Sequence, residues 1–434
     1  MSGKIKILVV SATPWDNDNS FGNSFTNIFG GNPQYEIANI YCASGLPNTS
    51  VCSRFFQITE RGIIKNFQFA KIKSGQEVFI DNHINAICYG QKETLLINKI
   101  KTIRWQIFFW LRDLIWCTSR WKSKELDNFI SDVAPDIIFL PLYYSSYMNN
   151  IGLYVQRVAN VKLVGFVSDD IYTLKQFSIS PLFWIDRLIK RSFIKKAIDR
   201  CEILYTITTK QQKEYNKIFG NKCKVLYKGG DFNNYSHKKL ILSNPVKLVY
   251  TGNLGAGRWK TLERIAKSLD KINLDYLKAQ LFIYSQTYLS AAAKQKLQIE
   301  GTSYFLGGIP SSEVKSIQRD ADILLHVESF EISERYSARL SFSTKIVDYF
   351  EAGKCILAVG WDKTAAIEYL KQHDAAIVVT NVNQIDSVLN NLIINTDVII
   401  TYSNKAFDCG HQYHQLTDIR GVLYRDLKRV ATVG

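Results

Sequence analysis

The dominant pattern in this chain is a repeated exchange between short β-branched apolar runs and longer helical stretches. KIKILVVSA (4–12), INAICYG (84–90), IIFLPL (137–142), KLVGFVS (162–168) and EILYTIT (202–208) form one series. VKLVYTG (246–252), AQLFIYS (279–285), DILLHV (322–327), KCILAVG (354–360) and AAIVVT (375–380) form a second. Runs that are apolar at nearly every position belong to strands covered on both faces, and the intervening helices supply that cover. The pattern specifies an α/β protein with two doubly wound, Rossmann-like domains in tandem. Polar HKKLILSNP (237–245) is the expected linker, separating a domain over 1–240 from a second over 241–403, and residues 404–434 read as helices with no strand after them. Ligands of such sheets sit beyond the carboxyl ends of the strands, so the interdomain cleft is the expected site.

Charge divides along the same boundary. The 434 residues carry 54 Lys and Arg against 39 Asp and Glu, a formal net charge of +15. Residues 1–240 hold 32 basic and 19 acidic side chains, net +13, and the remainder 22 and 20, net +2. A nucleotide pocket needs only a few cations, so this one-sided excess calls for a larger anionic partner as well. A composition of 46% hydrophobic and 21% charged residues excludes wholesale disorder. The eight cysteines are scattered and never form CxxC, which argues against a metal cluster or disulfide framework and for a reducing cytoplasm. MSGKIKILVVSATPW reads as a first strand, not a signal peptide, and no stretch is apolar enough to span a membrane.

Three segments can carry chemistry. After the first strand, SATPWDNDNSFGNSFTNIF (11–29) is a turn opening into a helix; Gly22 allows close backbone approach, and the first amides of that helix can face an anion. An ordinary polar loop has the same composition. Asp16 and Asp18 make a D-x-D, here read as solvated loop and not as a metal site. TGNLGAGRWKTL (251–262) opens the second series with glycines 252, 255 and 257, followed by Arg258 and Lys260 as a diphosphate clamp or as the solvated start of a helix. SFSTKIVDYFEAGKCILAVG (341–360) places Ser343 and Thr344 as caps of a helix bearing Lys345 beside its N-terminus. Asp348, a turn later, can accept from ribose hydroxyls.

These blocks resemble the GT-B glycosyltransferases, and within them glycosyltransferase family 4. SFSTKIVDYFEAGKCILAVG is similar to that family's "EYLAAGKPVLA" block, whose acid contacts the ribose, the place taken by Asp348. YTGNLGAGRWKTL resembles its phosphate-binding block and implies that role for Arg258 and Lys260. KVLYKGGDF (224–232) resembles "VIPNGVD", and YFLGGIPSSEVKSIQRDADILLHVES (304–329) resembles "FLGxVPxxEVxxLLxxADVLL". The similarity covers residues 200–360, and the N-terminal half matches in outline. The family's paired glutamates, seven residues apart, are not kept: Asp348 stands at the second and Leu340 at the position eight before it. Glu328, Glu331 or Glu334 is left to replace the missing contact to the donor sugar, and Glu331 is the one assigned. In FVSDDIYTL (166–174), Asp169 and Asp170 fall where the family carries its residue facing the reacting sugar. Adjacent carboxylates on a strand point opposite ways, so one of them faces the cleft, and Asp170 is preferred. A loop or helix cap is the other reading of this pair.

KIKTIRWQIFFWLRDLIWCTSRWKSK (99–124) holds seven Lys and Arg, one Asp and six aromatics. Ile103, Ile107, Trp110, Leu111, Leu114 and Ile115 fall on one helical face as a buried stripe, leaving Trp105, Phe108, Phe109, Trp116 and Trp121 as further apolar surface ringed by Arg104, Arg112, Arg120 and Lys122. PLFWIDRLIKRSFIKKA (181–197) repeats the theme with Arg187, Lys190, Arg191, Lys195 and Lys196. Both read either as core helices with solvated basic faces or as an anionic membrane surface contact.

The resemblance implies a retaining, metal-independent transfer from a nucleotide-sugar to a glycan or lipid-linked acceptor, in bacterial cell-surface polysaccharide synthesis, in the cytoplasm or at the inner membrane face. No cofactor is expected, and nucleic acid is not an expected partner. It also implies that the C-terminal helices cross back to the N-terminal domain, with His411 and His414 structural. Two other readings remain open: a nucleotide-sugar epimerase on the same fold, and a non-catalytic subunit that docks on a membrane or partner.

Overall fold

The structure, a computed structural model, describes residues 3–69, 73–79, 106–118, 120–233 and 241–432. The expected strand at 84–90, Ile103, Arg104, Trp105 and residues 237–240 of the linker lie outside the described residues, as do the side chains of residues 106–109.

The first sheet contains β1 (Ile5–Ser11), β2 (Tyr35–Tyr41), β3 (Arg54–Ile58), β4 (Gly75–Val78), β5 (Ile137–Pro141), β6 (Lys162–Val167), β7 (Cys201–Thr206) and β8 (Cys223–Val225). Its order is β4-β3-β2-β1-β5-β6-β7-β8, parallel except for β4 at the edge. The second contains β9 (Val246–Thr251), β10 (Ala279–Tyr284), β11 (Ser303–Gly307), β12 (Ile323–Val327), β13 (Cys355–Val359) and β14 (Ile377–Val379). Its order, β11-β10-β9-β12-β13-β14, is that of a nucleotide-binding doubly wound sheet. Seven helices concern the site: α1 (Ser20–Phe29), α2 (Gln106–Cys117), α3 (Pro181–Arg200), α4 (Arg258–Ile272), α5 (Lys345–Ala352), α6 (Thr396–Tyr413) and α7 (Leu416–Thr432).

Each sheet is buried on both faces. Leu8, Val10, Leu140, Leu163 and Leu204 join one core cluster, and Ile7, Val9, Phe139, Val164 and Ile203 another across the sheet. Strands β2, β3 and β11 are weak as apolar runs because they carry polar side chains with tertiary partners. Asn39 in β2, for example, is fully buried and donates to the Val9 carbonyl and the Ser11 hydroxyl, both at 3.0 Å. The final segment divides between the sheets. In α6, Ala406, Phe407 and Cys409 pack with Val347, Phe350 and Ile356, whereas Ile419, Leu423, Leu427 and Val430 of α7 complete the cluster around Ile7, Val9 and Phe29. At the break between them, Gly230 donates to His414 O (2.8 Å) and Leu416 to Gly230 O (3.0 Å). Among the described residues the cysteines are free and no helix is long and apolar enough to cross a membrane.

The aromatic helix is rotated from its expected face: Trp110 and Ile115 of the expected stripe turn inward, but Leu111 and Leu114 do not. Trp116 and Trp121 are buried, while Leu111 and Leu114 are 51% and 64% exposed. The larger rings win the core: Trp116 stacks on Tyr147 with centroids 4.4 Å apart, and Trp121 Nε1 donates to Trp116 O at 3.0 Å.

Candidate active site

In each sheet the chain reverses winding direction at one point, β1/β5 in the first and β9/β12 in the second. Both points open onto one interdomain cleft containing a cavity of about 880 Å³. Ser20 and Ser24 of α1, Tyr143 and Tyr144 after β5, Ser168, Asp169 and Asp170 after β6, and Lys228 line the N-terminal side. Asn253, Arg258, His326, Glu328, Glu334 and the stretch Ser341–Lys345 line the other.

Lys345 is the first residue of α5 and projects to the end of β9. A Cβ on Gly252 would stand 2.6 Å from its Nζ, so only glycine admits the ammonium there. Burial, reinforced by the positive charges of Arg258 and Lys228 and opposed by Asp348, lowers Lys345 to about 8. Among the described residues no carboxylate lies within ion-pair distance of it. Arg258, the first residue of α4, places Nη2 and Nε 3.0 and 3.2 Å from Glu328 Oε2. Lys228 reaches the same cavity and is held at 2.6 Å by Asp348 Oδ1. Asp348 itself does not line the cavity; its contact is to the lysine. Three cations therefore converge on the cleft, Lys228 from the N-terminal side and Arg258 and Lys345 from the other, with less than full neutralisation.

Ser343 and Thr344 line the same wall, and their hydroxyls make no hydrogen bond within the described residues. Thr344 precedes α5 with φ −59° and ψ −19°. That helical backbone keeps Oγ1 from the amides that an extended N-cap residue reaches. Ser343 and Thr344 thus stand beside the helix start without capping it.

Lys260 and Glu331 pair with each other on the exposed rim, outside the cavity wall. Glu334, on the short helix Ile332–Ser337, faces the cavity and makes no ion pair among the described residues. Gly22 also lies off the wall. Its role is packing: a Cβ there would stand 2.0 Å from the Asp16 carbonyl oxygen, and it donates to the Asn19 side chain that caps α1. Its neighbours Ser20, Phe21 and Ser24 form the lining.

The two aspartates do separate in direction. Asp170 is buried and fully engaged, accepting from Thr173 N at 2.9 Å and pairing with Arg339 at 3.2 Å and Arg187 at 3.6 Å. Asp169 is exposed to the cleft, where Ser341 Oγ donates to its Oδ1 at 2.6 Å. The free carboxylate is thus Asp169, and Asp170 ties the two halves together through Arg339, which also binds Glu214.

His326 joins this site without having been singled out in the sequence. It is buried at the end of β12, its Nε2 is 3.6 Å from Glu328 Oε1, and it makes no hydrogen bond through that atom. Burial, with Arg258 and Lys345 nearby and against the pull of Glu328, lowers it from its usual range and keeps the ring neutral. A lone polar residue in the apolar strand ILLHV was the available signal.

No family model and no curated protein matches the chain by sequence. Solved structures do match by shape. HepE of Anabaena, solved with UDP-glucose, superposes with a TM-score of 0.61 at 14% identity over 98% of this chain and 100% of HepE. Sucrose-phosphate synthase of Thermosynechococcus elongatus gives 0.60 at 11% identity over 98% and 100%. An E. coli protein solved with UDP-2-fluoro glucose gives 0.59 at 10% over 98% and 99%. At such identities the likeness establishes architecture, and with the paired doubly wound sheets it establishes that this chain has the GT-B fold.

Proposed function

We propose that the protein is a glycosyltransferase that moves a sugar from a nucleoside-diphosphate donor to a glycan or lipid-linked acceptor, with retention of configuration. The observation carrying this reading is the convergence of Lys345, Arg258 and, from the N-terminal side, Lys228 on the part of the cleft bearing the unengaged Ser343 and Thr344 hydroxyls, with Asp169 exposed in the same cleft. Partly compensated cations in a half-buried site suit a diphosphate, whose charge grows as the sugar leaves. In the transfer, the C1–O bond to the β-phosphate breaks and a bond from C1 to the acceptor oxygen forms. The acceptor proton passes to the departing phosphate. Lys345 and Arg258 meet the leaving charge, a role that a divalent cation fills elsewhere, so activity is expected to survive EDTA. Glu334 holds sugar hydroxyls and Asp169 orients the acceptor hydroxyl or offsets positive charge at C1. A bacterial cell-surface polysaccharide is the proposed product class.

Calorimetry with UDP and GDP, followed by hydrolysis assays over a panel of nucleotide-sugars, tests the reading. Donor hydrolysis lost in Lys345→Met and kept in Lys260→Met is the expected result. Nucleotide binding without turnover of any donor leaves a non-catalytic subunit, and conversion of a donor to its epimer replaces transfer with epimerisation.

A further inference from the structure

The first half of helix α3 is built inside out, whereas its second half buries Ile194, Ala197 and Ile198 in the usual way. Asp186, Arg187 and Lys190 are each less than 8% exposed, whereas Leu182, Ile185, Leu188 and Ile189 are 49–54% exposed. The charged side is fixed inward by satisfied partners. Asp186 accepts from Trp110 Nε1 and Tyr144 Oη, both at 2.9 Å, and from Lys190 Nζ at 3.0 Å. Arg187 donates to the carbonyls of Asp170 (2.8 Å) and Thr173 (2.7 Å). With that face committed, the apolar residues at helical spacing have only the outside left. Phe177 and Ile179, in the loop before α3, extend the same exposed surface, 46% and 92% open. This is a contiguous stretch of chain, far from the singly scattered leucines of an ordinary surface.

We propose that this face docks on an anionic bilayer, inserting the apolar residues between 177 and 189 at the headgroup boundary. Charge selects this occupant. The outward side of α3 changes along its length from apolar to basic, ending in exposed Lys195, Lys196 and Arg200 against one exposed acid, Asp199, which pairs with Lys195 at 2.6 Å, within a half of the chain that carries +13. An apolar wedge flanked by lysine and arginine matches acyl chains beneath phosphate headgroups. It corrects the sequence expectation at Arg187 and Lys190, which turn inward, while Lys195 and Lys196 face outward as expected. The surface also adjoins the cleft, because Phe183 and Arg187 of α3 line the cavity. An acceptor anchored in the bilayer would enter beside them; that consequence rests on the transferase reading, while the docking does not.

Flotation of the full chain with phosphatidylcholine vesicles containing 30% phosphatidylglycerol tests the proposal, against pure phosphatidylcholine and against 0.5 M salt. Capture by the anionic vesicles, at least tenfold reduced on neutral ones and by salt, is expected. Leu188→Glu/Ile189→Glu should reduce capture at least tenfold, with an unchanged thermal midpoint and unchanged UDP calorimetry, since both side chains lie outside the site. Lys195→Glu/Lys196→Glu should reduce capture of anionic vesicles alone. Absence of capture, equal capture by neutral vesicles, or capture unaffected by the apolar double substitution overturns the proposal. So does a dimer that the double substitution makes monomeric without any flotation, which would make a second copy the occupant. Vesicle capture by a protein that binds no nucleotide would instead refute the transferase reading and leave the docking intact.

Discussion

Lys345 holds its ammonium so near the backbone of Gly252 that a methyl group at 252 would stand 2.6 Å from the nitrogen. The first residue of one helix and the turn after one strand thereby share a single charge. Gly252→Ala must displace that ammonium and also press on the buried Tyr250 ring, whose Oη would stand 2.9 Å from the same methyl group. Nucleoside-diphosphate affinity should fall about tenfold, ~1.4 kcal/mol, as read by calorimetry, and the melting temperature should fall as well.

Lys345 also sets a pH dependence. Its folded value of about 8 lies below the 10.5 of an unfolded lysine. The unfolded chain therefore holds more protons between those values, and stability of the empty protein should rise as pH goes from 8 to 10.5. Diphosphate binding needs the charged form, so affinity should decline over that same window. Lys345→Met is expected to stabilise the empty protein by about 1–3 kcal/mol and to remove both pH effects. Equal destabilisation at every pH would contradict this assignment.

Asp169 and Asp170 are neighbours with separate work. Asp170→Asn leaves Arg187 buried without its carboxylate and Arg339 with Glu214 alone, and should cost about 3–5 kcal/mol of stability. Asp169→Asn removes an exposed charge while its oxygen can still accept from Ser341, and its effect belongs to turnover: kcat is expected to fall while the denaturation midpoint holds. Urea titration of both variants, with donor turnover measured on each, separates them.

Of the upstream glutamates, Glu334 alone both faces the cavity and lacks a cation partner among the described residues, whereas Glu328 is bound to Arg258 and Glu331 to Lys260. Glu334→Gln should lower donor kcat/KM by tenfold or more, and Glu331→Gln by less than twofold. The opposite ranking in a hydrolysis assay would return the sugar contact to Glu331.

His414 is fully buried where the chain passes from α6 to α7, with Nε2 2.9 Å from Tyr369 Oη and Nδ1 3.3 Å from the Lys228 carbonyl. Burial lowers it from 6.5 to about 4. The unfolded chain takes up a proton first, so stability present above pH 6.5 is lost as pH falls toward 4. His414→Gln, which cannot charge, should flatten that part of the stability profile measured by chemical denaturation.

The sequence by itself determined the two parallel sheets, because strands apolar on both faces can only be covered by helices on both sides, and that demand is written locally in each run. It also determined that cations after β9 and before α5 would share a strand end, since Arg258, Ser343, Thr344 and Lys345 sit at fixed offsets from their strands. Tertiary structure alone decided how charges were spent. Asp348 binds Lys228 across 120 residues of chain, and Asp170 meets Arg339 across 169. Lys260 and Glu331 cancel each other at the rim, and the lone histidine of the apolar strand ILLHV acquires its place beside Glu328 only in the fold. The same holds for α3. A helix containing both leucines and lysines does not state which face turns inward, and here the buried partners of Asp186 and Arg187, contributed by distant segments, settled the matter and left the apolar face outside.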